Sequence, residues 1–97
     1  MRTLPRAIRS VNNLQKDPRL LTLYSRLGCH LCEDMLETLE SFRDDMNFSL
    51  EVLDIDRDPV LFERFNTLVP VLMCGDLEIC HYYLDKVALS RVLEQLN

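Results

Sequence analysis

The chain reads LLTLYSRLGCHLC from residue 20 to residue 32, and this stretch decides the fold. Residues 20–25 form a short apolar run with the length and composition of a buried strand. The run stops before Gly28, and helical periodicity begins after it. Cys29 and Cys32 therefore stand where the first strand gives way to the first helix.

The remaining elements follow in a regular order. The first helix has a predicted length of about fifteen residues, because apolar side chains recur at spacings of three or four. Asp58 followed by Pro59 predicts the start of a short second helix, and Gly75-Asp76 is typical of a two-residue hairpin turn. After the first helix, the predicted elements are a strand at 48–55, a helix at 59–66, strands at 71–74 and 77–80, and a helix at about 84–96.

The element order β-α-β-α-β-β-α predicts an α/β fold. A helix between the first two strands makes that pair parallel, with a right-handed crossover, and the tight turn makes the last pair antiparallel. We therefore expect a four-stranded mixed sheet with helices on both faces.

Composition limits the classes of function. Ninety-seven residues, of which 47% are hydrophobic, make one domain with a modest core. The net charge of −5 argues against nucleic acid or an anionic membrane as partner, because clustered positive charge binds phosphate groups. No apolar run reaches the roughly twenty residues of a membrane span, and none near the start resembles a secretory signal. We therefore expect a soluble, non-secreted protein.

The charge divides the chain into two parts. Residues 1–19 carry five basic residues and one acidic residue, a net charge of +4, which leaves −9 for residues 20–97. The first part has the composition of a flexible basic extension, and its Arg-rich, acid-poor start also resembles a mitochondrial presequence. We therefore place the domain at 20–97 and expect a cytoplasmic protein, or a mitochondrial matrix protein if the extension is a presequence. The acidic run 54–58 is interpreted as solvated surface.

The sequence Cys29-His30-Leu31-Cys32 carries the predicted chemistry. Two cysteines with this spacing at a helix start bring their sulfur atoms together, and the helix N-terminus favours a thiolate. We expect Cys29 to attack a substrate disulfide and Cys32 then to attack the mixed disulfide and release the product. Half of a zinc site and two inert buried thiols are the alternative interpretations.

The other two cysteines lie on the predicted hairpin. With a two-residue turn, Cys74 faces Leu77. Val71 then faces Cys80, so the two thiols project from opposite faces of the sheet. We therefore expect Cys74 in the core, and we do not expect both thiols to complete a zinc site with the first pair. No metal site is predicted.

His30 and the acidic residues behind it act on Cys29 in opposite directions. A protonated His30 stabilises the neighbouring thiolate, whereas Glu33 and Asp34 in the same turn destabilise it. We expect the pKa of Cys29 to fall below the free value of about 8.5 without reaching the value of about 3.5 found in strong oxidants. The alternative for His30 is an exposed loop histidine without a role.

The sequence resembles the glutaredoxin branch of the thioredoxin superfamily over residues 20–97, and more narrowly its small glutaredoxin-like proteins. Residues 26–32 are similar to the glutaredoxin active-site stretch, which has a basic residue at the position of Arg26. Residues 67–72 resemble the family's loop with a cis-proline. The resemblance implies a thioredoxin/glutaredoxin-like fold and a redox-active disulfide between Cys29 and Cys32.

The resemblance also implies a substrate site beside the cysteines. It implies a cis Val69–Pro70 peptide bond packed beside Cys29, with the backbone groups of Val69 exposed to pair with a peptide or with glutathione. Arg26 is the implied carboxylate ligand, with a solvated charge as the alternative.

The remaining part of the implied glutathione site contains Tyr82, Tyr83 and Asp85. Asp85 lies near the family's acidic position and is a candidate glutathione-binding residue. Tyr82 and Tyr83 replace the family's Gly-Gly turn, and we expect them to obstruct that part of the site.

These features favour a thiol-disulfide oxidoreductase that reduces or exchanges protein disulfides or glutathione mixed disulfides in cell redox homeostasis. No resident cofactor is expected, and glutathione is a candidate co-substrate. A non-catalytic redox-sensing or protein-binding module is the first alternative. A metal or iron-sulfur carrier bridged by Cys29 and a glutathione is the second. We expect a monomer.

Overall fold

A computed structural model describes residues 17–96 of the chain. Its elements, in chain order, are β1 (Leu20–Ser25), α1 (His30–Met46), β2 (Ser49–Asp54), a 3-10 turn (Ile55–Arg57), α2 (Pro59–Phe65), β3 (Val71–Cys74), β4 (Leu77–His81) and α3 (Lys86–Gln95). The predicted order of strands and α-helices is confirmed over this part of the chain. Within residues 17–96, the helices lack the length and apolar character needed to cross a membrane.

Each α-helix begins at a residue whose side chain accepts a backbone N–H of the first turn. Asp58 accepts the N–H of Val60 at 2.9 Å and starts α2, as predicted. Asp85 accepts the N–H of Ala88 at 3.0 Å and starts α3. Cys29 occupies the same position before α1. These caps satisfy N–H groups that have no partner inside the helix.

The four strands form one mixed sheet in the order β2-β1-β3-β4. β1 and β2 are parallel, with Ser25 opposite Asp54 at their carboxyl ends. β3 is antiparallel to β1, with Val71 opposite Tyr24, and β4 is antiparallel to β3. The predicted mixed sheet is therefore confirmed.

Apolar side chains pack on both faces of the sheet. One core lies against α1 and α3, and it contains Leu21, Leu23, Met35, Leu39, Phe48, Leu72, Ile79, Leu89 and Leu93. The other lies against α2 and the 3-10 turn, and it contains Ile55, Phe65, Val71 and Met73. Successive residues of β3 enter opposite cores because side chains alternate along a strand. The prediction of helices on both faces is confirmed.

A β-bulge in β4 shifts the predicted hairpin register by one residue. Cys80 lies opposite Leu72 instead of Val71. Ile79 is the extra residue, and a bulge places neighbouring side chains on the same side of the strand. Cys74 and Cys80 are therefore both partly buried against the core that contains Leu72, and the prediction that they project from opposite faces is wrong. Among the described residues, no group of three or more His, Cys, Asp or Glu side chains is placed to hold a metal ion.

Arg19 joins the C-terminal ends of α1 and α3. Its guanidinium donates to the carbonyl oxygens of Met46 at 2.8 Å and Leu93 at 2.9 Å, and also to that of Asn47. A cation is favourable at these helix ends, where carbonyl groups lack partners within the helix. Folded contacts therefore begin before the predicted boundary at residue 20. Residues 1–16 lie outside the described residues, and the basic extension stays a prediction.

Candidate functional site

The sheet brings four segments together at one end. β1 and β2 both finish at this end, antiparallel β3 starts there, and β4 finishes there. The four segments are residues 26–29 after β1, the 3-10 turn after β2, the loop that ends at Pro70 before β3, and Tyr82 after β4. We call this the cysteine end of the sheet.

Cys29 and Cys32 form a disulfide at the N-terminus of α1, with their Cα atoms 5.2 Å apart. Cys29 is the N-cap residue, and its Sγ accepts the backbone N–H of Cys32 at 3.2 Å. Gly28 turns the chain into the helix at φ 75°, a conformation that glycine adopts without strain. Cys32 is 2% exposed whereas Cys29 is partly exposed, so an incoming substrate meets Cys29 first.

The surroundings of Cys29 favour a negative charge on its sulfur once the disulfide is reduced. The N–H of Cys32 points at that sulfur, and a hydrogen bond to an ionised acceptor is stronger than one to a neutral acceptor. The N-terminus of α1 adds partial positive charge, which Glu33 in the first turn opposes. This arrangement suits a reactive thiolate at Cys29 beside a protected thiol at Cys32, as dithiol-disulfide exchange requires.

His30 lies on the exposed side of the first helical turn. Its side chain is 85% exposed, and its Nε2 atom is 3.7 Å from Oδ2 of Asp34, one turn along the helix. An ion pair this exposed contributes little to stability. The effect of His30 on the Cys29 thiolate stays a prediction.

The loop before β3 is held from two sides. The Val69–Pro70 peptide bond is cis, and Pro70 is buried. The N–H of Val69 donates to the carbonyl of Phe65 at 3.2 Å. Tyr82 donates its N–H to the Pro70 carbonyl at 2.9 Å and its hydroxyl to the Thr67 carbonyl at 2.6 Å. The expectation that the backbone groups of Val69 are exposed to a substrate is therefore wrong for its N–H, which is bonded within the chain.

Tyr82 has a structural role at the cysteine end that the sequence did not predict. Its backbone lies in the left-handed region at φ 64°, which residues other than glycine seldom adopt. The sequence does carry one sign of this backbone conformation, because Tyr82 stands where the glutaredoxin family has its Gly-Gly turn. Tyr82 and Tyr83 line a cleft of about 130 Å³ with Leu31 and Met35. The two tyrosines therefore form part of the wall of a small cleft beside α1, and the obstruction of a glutathione site by them stays a prediction.

Arg26 is paired within the chain. Its guanidinium contacts Asp56 at two points, from Nη2 to Oδ1 at 2.7 Å and from Nε to Oδ2 at 3.2 Å. It also lies over the ring of Phe62, 5.4 Å from the ring centroid. Asp56 belongs to the acidic run that was interpreted as solvated surface, and no sequence pattern connects it with a residue 30 positions away. Binding of a substrate carboxylate by Arg26 stays a prediction.

Asp85 and Cys80 lie near each other, close to the start of α3. The Asp85 side chain caps α3, so this candidate glutathione ligand already has a structural role. Burial raises the pKa of the Cys80 thiol. A hydrogen bond from the Asp85 backbone opposes the rise in this pKa, and the Asp85 and Glu78 charges add to it. Cys80 is therefore poorly suited to act as a nucleophile near neutral pH.

In the reduced protein, alkylation is expected to modify Cys29 well before Cys80. The thiolate is the form that reacts with iodoacetamide. The raised pKa of Cys80 moves its rise in labelling rate to higher pH, whereas the helix N-terminus beside Cys29 is expected to move the rise for Cys29 to lower pH. The measurement is the rate of iodoacetamide labelling at each cysteine between pH 5 and pH 10, followed by peptide mass spectrometry. We expect a Cys29 midpoint below about 8.5. Cys29→Ser is the control that removes the early rise, and a Cys29 midpoint at or above the free value contradicts the prediction.

The protein has a thioredoxin-like fold. This class is defined here by the mixed four-stranded sheet with helices on both faces and by the Cys-x-x-Cys disulfide at the start of α1. The family model described as Glutaredoxin-like domain (DUF836) matches residues 20–94. The chain belongs to this family of glutaredoxin-like domains. No significant match is found among curated proteins.

Two solved structures are similar to the chain in both sequence and fold. Protein Ne2328 from Nitrosomonas europaea is 42% identical, with a TM-score of 0.68 over 84% of this chain and 96% of that chain. Protein XcR50 from X. campestris is 32% identical, with a TM-score of 0.62 over 77% of this chain and 96% of that chain. Buckwheat glutaredoxin, solved in complex with glutathione, shares the fold at 15% identity and a TM-score of 0.53, over 78% of this chain and 77% of that chain. The glutaredoxin-like fold and the Cys29–Cys32 disulfide fit a redox function.

Proposed function

We propose that the protein is a thiol-disulfide oxidoreductase that uses Cys29 and Cys32 to reduce or exchange disulfides. The observation that carries this proposal is the arrangement of the two sulfur atoms. Cys29 is partly exposed and accepts an N–H at the start of α1, whereas its disulfide partner Cys32 is buried. An accessible nucleophile next to a protected second thiol is the combination that two-step disulfide exchange needs.

The reaction consumes one substrate disulfide and forms one disulfide in the protein. The Cys29 thiolate attacks a substrate sulfur, so that a Cys29–substrate bond forms, the substrate disulfide breaks and the departing thiolate takes a proton from solvent. Cys32 loses its proton and attacks Sγ of Cys29, which releases the second substrate thiol. The substrate gains two electrons and two protons, and the protein dithiol loses them. Two molecules of a low-molecular-weight thiol, or one protein dithiol, restore the reduced state and are themselves oxidised to a disulfide.

Protein disulfides and glutathione mixed disulfides are the two proposed substrate classes. Similarity in fold to a glutaredoxin solved with glutathione supports the second class. The intramolecular partners of Arg26, Val69 and Asp85 favour the first, because groups that could hold glutathione are already bonded. We propose cell redox homeostasis in the cytoplasm as the setting, with glutathione as a candidate co-substrate.

The test compares wild-type protein with Cys29→Ser in the reduction of insulin and of a glutathionylated peptide. We expect wild-type protein to turn over at least one of the two, and Cys29→Ser to remain at the background rate, since serine is a far weaker nucleophile than a thiolate near neutral pH. Circular dichroism checks that the variant is folded. Equal rates for both proteins on both substrates would contradict the proposed function.

A non-catalytic redox sensor or binding module is the second candidate. The supporting observation is the exposure of large apolar side chains at and next to the cysteine end. Leu27 is 88% exposed, and Tyr83, which follows Tyr82, is 70% exposed. Such side chains suit a protein contact. A partner retained only by the oxidised protein, together with turnover at the background rate, would favour this candidate over catalysis.

A further inference from the structure

Arg26 places a cationic group in the loop that carries the nucleophile. It lies three residues before Cys29, and its carbonyl accepts the N–H of Cys29 at 3.4 Å. The backbone of Arg26 is therefore coupled directly to the reactive residue. A guanidinium at this position is suited to attract an anionic group of a substrate whose disulfide approaches Cys29.

The Asp56 carboxylate already contacts this guanidinium in the same way as a bound substrate carboxylate would. Two parallel contacts, at 2.7 and 3.2 Å, join the guanidinium to the two carboxylate oxygens. This two-point arrangement is the preferred way for arginine to bind a carboxylate. The ring of Phe62 lies near the guanidinium as well, with 5.4 Å between Arg26 Cζ and the ring centroid.

Asp56 is itself fixed in place. Its backbone N–H donates to Oδ1 of Asp54 at 3.0 Å, and the preceding residue, Ile55, is completely buried. The 3-10 turn therefore presents the Asp56 carboxylate to Arg26 without needing a substrate to arrange it. The pair is still open to solvent, since the Arg26 and Asp56 side chains are 33% and 41% exposed. A substrate carboxylate can reach the pair, but it must displace Asp56 to bind.

We propose that Asp56 is a specificity-determining residue that occupies Arg26 and so disfavours substrates with a carboxylate next to their disulfide. This inference rests on the proposed oxidoreductase function and narrows its substrate class to disulfides flanked by neutral or basic groups. A carboxylate next to the substrate disulfide meets a cation that is already neutralised, and it also meets the negative charge of Asp56. A neutral or basic group at the same place meets neither cost.

The test uses two symmetrical disulfides that differ only in their carboxylates: the dimer of N-acetylcysteine and the dimer of N-acetylcysteinamide. Reduced protein is mixed with each, and the second-order rate of thiol release is measured in a single turnover, which needs no added reductant. The informative quantity is the rate for the acid divided by the rate for the amide. Because each variant is compared with wild type, intrinsic differences between the two disulfides cancel.

Asp56→Asn is expected to raise this ratio about two- to five-fold, the range that an exposed ion pair supports. The same substitution in an Arg26→Gln background is expected to raise the ratio of that background by a smaller factor, because only the repulsion by Asp56 is removed there and no guanidinium is released to bind the carboxylate. Asp76→Asn removes an equal charge from the hairpin turn and is expected to leave the wild-type ratio unchanged. Asp56→Ala repeats the test with a second side chain, and circular dichroism reports on folding.

A ratio that stays at the wild-type value in both Asp56 variants overturns the inference. A rise of equal size with and without Arg26 also overturns it, because the effect is then one of general charge. If neither disulfide reacts in a Cys29-dependent manner, the proposed oxidoreductase function itself fails, and the specificity role fails with it.

Discussion

Replacing Cys32 by serine is expected to convert the exchange reaction into a trap in which Cys29 stays joined to the substrate. Cys29 keeps its position at the start of α1, and the backbone N–H of residue 32 still points at its sulfur. The first attack therefore proceeds. The second attack loses its nucleophile, because Cys32 is the thiol that forms the disulfide with Cys29.

Multiple-turnover reduction of insulin is expected to fall by at least about a hundredfold in this variant, because a solution thiol must replace an adjacent one that acts at a high effective concentration. The measurement combines the insulin assay with non-reducing electrophoresis, in which a mixed disulfide runs as a heavier species that reductant removes. Cys74→Ser is the matched control, since Cys74 is a partly buried thiol outside the cysteine end. Unimpaired turnover in Cys32→Ser would contradict the two-step mechanism.

Replacing Arg19 by methionine is expected to lower the free energy of unfolding by about 2–4 kcal/mol, since hydrogen bonds from a charged group to partly buried acceptors contribute more than neutral ones. The guanidinium satisfies carbonyl groups at the ends of both α1 and α3, and methionine preserves the apolar stem without the donors. Arg19→Lys keeps the charge and loses the planar fork, so we expect an intermediate loss.

The measurement is urea denaturation of the oxidised proteins, followed by circular dichroism. Arg43→Met serves as the control, because Arg43 pairs with Glu40 at 3.2 Å on the surface of α1, where such pairs contribute at most about 1 kcal/mol. Equal destabilisation by Arg19→Met and Arg43→Met would show that the helix-end contacts have no special importance.

Local patterns were sufficient to predict the fold because each element carries its own signal. The apolar run before Gly28, the helical spacing after Cys32 and the Asp58 cap are each properties of neighbouring residues, and the structure places the elements accordingly. The position of Cys29 and Cys32 at the start of α1 follows from the same local reasoning. The two cysteines of the candidate site could therefore be identified from the sequence.

The features that sequence reasoning missed depend on residues far apart in the chain. Arg19 contacts carbonyl groups that only the packing of α1 against α3 brings together. Asp56 is held by Arg26 across the sheet end, and nothing next to either residue marks the pair. The bulge at Ile79 escaped because Leu77, Glu78 and Ile79 alternate as in an unbroken strand, so nothing next to Ile79 marks it as an extra residue.

The bulge has a consequence for the association of the protein with itself. β4 is an outer strand of the sheet, and an outer strand presents unpaired N–H and C=O groups to which another chain can add a strand. The extra residue at Ile79 interrupts the regular spacing of those groups, and Glu78 next to it adds a charge. Both features discourage edge-to-edge aggregation along β4, so the irregularity that misled the register prediction also protects an open edge of the sheet.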